Sequence, residues 1–225
     1  MRPVFAATLI VAAAFGILGL QRASRFAPGE NATVRALTTE PVRVQLDFTP
    51  DAYETTEALV SALQAAATQE PQAEIADELA TLARDSGFIE NVTSETIERL
   101  GTDAAALAFS TTRVDGAGDV VTIIGITIEI LPRGRRDGIS RAHEDGHAAV
   151  NNAIIEECGA SVVAFEVGAG KSGNSLVESI NDHIAALEWR AHSYYHDEVS
   201  EGVFGSHDRA ARRAVEALER DDCVA

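Results

Sequence analysis

Positive charge is what this chain of 225 residues lacks most: 18 Lys and Arg stand against 35 Asp and Glu, a formal net charge of −17. Phosphate recognition needs clustered Lys and Arg, so nucleic acid and anionic membrane surfaces are excluded as partners. Cysteine is scarce as well. Cys158 and Cys223 are the only two, so at most one disulfide can form, tying the C-terminus back to the middle of the chain; two separate thiols are the equal alternative. The chain has no internal repeat, and its first half has no cluster of chemistry-bearing side chains. That half is left to build core and to shape a cleft. Hydrophobic residues make up 46%, enough at this length for one domain with a real core.

Residues 1–23 read as an export signal. Arg2 supplies the positive start and residues 3–20 carry no charge. Eighteen such residues also just suffice to span a bilayer, so an uncleaved anchor competes with a cleaved signal. Either way the domain belongs outside the cytoplasm, in the periplasm, secreted or anchored. Residues 24–40 are polar, contain Pro28-Gly29 and read as a linker. Residues 41–225 form the domain. Residues 41–48 alternate as a half-buried strand. Helices are expected over 51–68, 71–82 and 94–109. The clearest strand spans 119–131, with Ile124, Ile126, Ile128 and Ile130 on one side and Gly125, Thr127 and Glu129 on a wetter one. Further helices are expected over 176–195 and 208–220.

Residues 143–147 read His-Glu-Asp-Gly-His. In a helix, positions four apart share a face, so His143 and His147 can aim two imidazoles at one Zn²⁺ ion. Glu144 then stands where it can act on a water at the ion. His143, His147, Val150, Ile154 and Cys158 form one stripe at helical spacing, which buries the pair and gives it need of a partner. Gly159 suits the helix stop. Arg133, Arg135, Arg136 and Arg141 form a basic patch around the helix start: a solvated loop, or a grip on a substrate carboxylate.

Catalytic zinc takes three protein ligands and leaves a fourth position open. His183, His192, His196, Glu201 and His207 are the candidates for the third. His192 and His196 lie four apart but off the apolar stripe of their helix, and are expected to be a solvated pair, with a second site built from them as the alternative.

A strand ending in Leu131-Pro132, the His143–His147 helix, a long second helix and the run from Tyr195 to Gly202 together resemble exported bacterial zinc-dependent proteases of the His-Glu-x-x-His type. The resemblance covers roughly residues 119–220. Where that family has Tyr-Asp-x-x-Thr-x-His-Gly, this chain carries His196, Val199 and Glu201 in place of the Asp, Thr and His. It implies an α+β, zincin-like fold with a small, mostly antiparallel sheet packed on the zinc helix and a helical C-terminal half. It also implies one Zn²⁺ per chain held by His143, His147 and Glu201, with His196 as the ligand if the alignment slips. Glu144 is then the general base and Tyr195 an oxyanion donor, and the substrate is a peptide or protein. An exported zinc-binding or interaction protein with a structural or decayed site is the rival expectation. Because strand 120–131 runs directly into the zinc helix, it is expected to be an edge strand against which a substrate backbone lies, with Gly125 leaving room for it; a strand paired on both sides, with Gly125 marking a bulge, is the equal alternative.

Overall fold

The structure, a computed structural model, describes residues 32–47, 50–100, 106–117, 119–133, 138–200, 207–220 and 223–224. The signal or anchor over 1–23, residues 24–31 of the linker, Arg135, Arg136 and Glu201 lie outside the described residues. Among the described residues no helix is long and apolar enough to cross a membrane.

The crowding of Val and Ile in residues 120–130 forms the longest strand, β4 (Val120–Pro132), because branched side chains pack well on a pleated surface. Both β1 (Thr33–Thr38) and β2 (Val42–Leu46) pair with it in parallel, Thr33 opposite Val120 and Val42 opposite Ile128. Three residues join β1 to β2, too few for a parallel crossover, so the two run in file along one side of β4. The hairpin partner β3 (Leu107–Ala117) takes the other side. β4 is therefore the central strand of a four-stranded sheet, and both rows of its backbone groups are engaged. The expected edge strand is overturned.

The expected mostly antiparallel sheet is corrected too, since two of the three pairings to β4 are parallel. The cause lies in the segment read as a linker: residues 33–38 form β1. The helix expected over 94–109 stops at Leu100, and β3 begins at Leu107. The β-branched Thr111, Thr112 and Val114 carry that strand.

Between β1 and β2, residues 39–41 lie opposite only Ile126 and Thr127. The one extra residue is a bulge, and it includes Pro41, which has no N–H to give to a ladder. It also changes the phase of the strand. Val34 and Ala36 pair with Val121 and Ile123, whereas Val42 and Val44 pair with Ile128 and Ile130. The even positions of β1 thus share a face with the odd positions of β4, and the even positions of β2 with the even ones.

The chain divides into two compact units, one holding Glu40–Phe109 and Ile126–Ala148, the other Ser110–Gly125 and Ala149–Ala225 together with β1. In the first unit, α1 (Ala52–Gln69) starts where the Asp51 carboxylate accepts the Glu54 N–H, satisfying one orphan donor of the first turn. It packs on β2, on α2 (Ala73–Leu82) and on α3 (Ser86–Leu100). Val44, Leu46, Leu59, Leu63, Ile75 and Val92 are buried there, each contributing about 1.5–3 kcal/mol by leaving water.

In the second unit the core joins Val121 and Ile123 of β4 to Val150, Ile154, Val162, Ile180, Leu187 and Ala214. The helix α4 (Gly138–Ala153) does not stop at Gly159 as expected. It continues through a π-helical turn (Ile154–Cys158) into α5 (Gly159–Gly168). Gly159 serves packing instead: a Cβ there would stand 3.0 Å from Ile123 Cδ1. Gly125 is explained in the same way, since a Cβ on it would collide with the Ile155 side chain. It makes room for the helix and not for a substrate. α6 (Gly173–Ser200) and α7 (His207–Arg220) complete this unit, and Cys158 is bonded to Cys223.

Candidate metal centre

α4 presents His143 and His147 on one face by their spacing of four. Their Nε2 atoms stand 3.0 Å apart, with the rings edge to face. Both side chains are buried. On α6, Glu188, His192 and His196 repeat the same spacing. The ligand atoms of His143, His147 and His196 all lie within 4.8 Å of one another, so these three residues could hold a metal ion. Two imidazole nitrogens on one tetrahedral ion, each about 2.0–2.1 Å from it, stand roughly 3.4 Å apart. The His143–His147 spacing of 3.0 Å is close to that value, and the donor set fits a divalent transition metal. Burial lowers the His196 pKa, with Asp197 opposing, and this favours the neutral imidazole that a metal requires. Among the described residues no fourth His, Cys, Asp or Glu joins the three.

The expectation of a solvated His192–His196 pair is corrected. α6 is buried over two adjoining faces: Leu187, Ala191 and Tyr195 occupy the apolar one, and Glu188 and His192 the next. His192 Nε2 donates to Asn151 Oδ1 at 2.7 Å. Asn151 was not singled out from the sequence, although it sits four residues beyond His147 on the same stripe. Glu201, the family-implied third ligand, lies outside the described residues. Tyr195 is fully buried in the core, its hydroxyl 3.2 Å from Nδ1 of His207 and its ring 5.9 Å from that of His196. His183 pairs with Glu166 at 3.1 Å.

Glu144 is 1% exposed, and neither of its oxygens has a hydrogen-bond partner among the described residues. Burial raises its pKa to about 8, with the charges of Glu129 and Asp145 adding to the effect. Glu129, expected on a wet face of β4, is fully buried, because an odd position of a central strand has a second layer over it. It accepts a hydrogen bond from Arg43 Nε at 3.0 Å, while Arg43 also binds Asp145 at 2.7 Å. Its pKa is pushed up to about 7 by burial and by Asp145, against the pull of Arg43. Arg43 therefore ties β2 to β4 and to the helix that carries His143. Of the basic patch, Arg133 is exposed 3.6 Å from Asp47, and Arg141 lies 3.9 Å from Asp145. Exposed pairs of this kind contribute less than about 1 kcal/mol.

Comparison with family models, with curated proteins and with solved structures finds no match for this chain.

Proposed function

We propose that this chain is a zinc peptidase of the His-Glu-x-x-His type, exported and acting outside the cytoplasm on peptide or protein substrates. The observation that carries this reading is the meeting of three imidazoles, His143, His147 and His196, with a buried carboxylate in the residue next to the first. When bound, zinc supplies a Lewis acid that polarises the scissile carbonyl and acidifies the attacking water. The chain's own contribution centres on Glu144. Its carboxylate takes a proton from that water as the new C–O bond forms, then delivers it to the amide nitrogen as the C–N bond breaks. Burial of Glu144 strengthens it as a base, because charge is costly in a desolvated site. Arg43 and Glu129 hold the Asp145 side of α4 in place, which fixes the direction of Glu144.

A non-catalytic zinc-binding protein is the second reading. The nearly complete burial of His143, His147 and Glu144 favours it, since a substrate must reach the ion.

Metal analysis and peptidase assays on the parent and Glu144→Gln separate the two. The parent should carry about one zinc per chain and cleave peptides. Glu144→Gln should keep the zinc and lose about 10²–10⁴-fold in rate. Full zinc occupancy in His143→Ala/His147→Ala sinks the metal centre. A zinc-loaded parent that cleaves nothing across a broad peptide library replaces the peptidase by the second reading.

A further inference from the structure

We propose that Asn151 and His192 form a positioning pair for the metal centre, setting the register of α6 at which His196 meets His143 and His147. The proposal rests on the reading that these three histidines bind a metal.

The placement is regular on both helices. Asn151 follows His147 by one turn on α4, and His192 precedes His196 by one turn on α6. Their side chains meet: His192 Nε2 donates to Asn151 Oδ1 at 2.7 Å, while Asn151 Nδ2 donates to the Ser110 hydroxyl on β3. Both ends of one amide are thus engaged, by two different elements. All three residues are buried.

A contact between Leu and Ile side chains would fill this space and tolerate sliding. The polar pair does not. Moving α6 by one residue displaces it about 1.5 Å along its axis and turns it through roughly 100°. That would break the buried hydrogen bond between the His192 N–H and Asn151 Oδ1, at the desolvation penalty of the two groups. Metal–ligand distances tolerate only about ±0.2 Å, so a helix carrying a ligand needs a contact with one permitted geometry. His192 has no need to touch the ion. It fixes where the next turn of its helix stands, in the way that outer hydrogen bonds orient metal ligands elsewhere.

The test is a Co²⁺ titration of the full chain after chelator treatment, read by visible d–d absorption, with circular dichroism as the check on folding. The parent should bind one Co²⁺ with a tetrahedral band. His192→Phe fills the ring volume without the N–H. It should remain helical, bind Co²⁺ about 10–100-fold more weakly and show an altered band. His192→Gln retains a donor for Asn151 Oδ1 and should restore most of the affinity and the band. Asn151→Ser, too short to reach His192, should weaken binding as His192→Phe does. If folded His192→Phe and Asn151→Ser bind Co²⁺ with the parent's affinity and band, the pair is packing only and the proposal fails alone. A parent that binds no Co²⁺ removes the metal reading and this proposal with it. Should His192→Phe not fold, the contrast between Asn151→Ser and His192→Gln decides.

Discussion

Replacing Glu188 by Gln should make the protein more stable at alkaline pH and leave it nearly unchanged in acid. Glu188 lies on α6, buried, with Oε1 lacking a hydrogen-bond partner among the described residues. Burial pushes its pKa from 4.5 to about 7, and the Thr112 hydroxyl offsets only part of this. Between those two pH values the native state holds a proton that the unfolded chain has released. Unfolding free energy therefore falls as pH rises through this window; the penalty is absent below about pH 4.5 and complete above about pH 7. A shift of this size corresponds to about 3 kcal/mol at 1.36 kcal/mol per pH unit. Gln keeps the shape and carries no charge, so it removes that penalty. Urea unfolding at pH 5 and pH 8, with chelator present, measures the effect. Glu144 and Glu129 titrate upward for the same reason, so the parent should lose stability over this range by more than one group's share. Glu188→Gln should lose about 3 kcal/mol less, a midpoint shift near 1 M urea at pH 8. Equal losses in parent and variant would refute the account, because the Glu188 proton would then be released at the same pH in the folded and unfolded chains.

Three further outcomes are expected. His196→Ala should lower zinc affinity by more than the roughly 10–100-fold lost with a residue that only orients a ligand, and by more than Glu201→Ala; isothermal competition against a chelator ranks the two, and the reverse order returns the third ligand to Glu201. Gly125→Ala should destabilise by about 1–3 kcal/mol through its clash with Ile155, visible in thermal unfolding, whereas a glycine kept for substrate access would cost activity and not stability. Cys223→Ser opens a loop of sequence separation 65 and should cost about 2–4 kcal/mol under oxidising conditions, with no difference between variant and parent once both are reduced.

What the sequence reveals here follows helical periodicity. His143 and His147 were readable because a spacing of four has one meaning on a helix. The stripe of Leu176, Ile180, Ile184, Leu187, Ala191 and Tyr195 was readable for the same reason, and all six are buried. The third histidine was obscured because an apolar stripe marks one buried face, and α6 has two. Glu188 and His192 line the second, where polar residues are buried by pairing and desolvation instead of hydrophobicity. Glu129 misled in a similar way: alternation with Ile128 and Ile130 signals a wet face only on a sheet covered from one side. Strand partners depend on contacts distant in sequence, so β1, polar at alternate positions and next to a charged stretch, gave no local sign that it lies beside β4. Cys158 and Cys223 left two readings because nothing in 65 residues of separation fixes where their ends meet.

The extra residue between β1 and β2 has a consequence for how this chain tolerates change. Upstream of it, Val34 and Ala36 serve the core of one unit; downstream, Val42, Val44 and Leu46 are buried in the other. Residues 39–41 act as a phase shifter, and their number matters more than their identity. Substituting Thr39 or Glu40 should pass with little effect. Deleting one of them would realign β2 so that Arg43 and Gln45 take the places of Val42 and Val44, while Arg43 loses Glu129 and Asp145 together. Homologous chains can thus be expected to vary freely in sequence across this link and to hold its length constant.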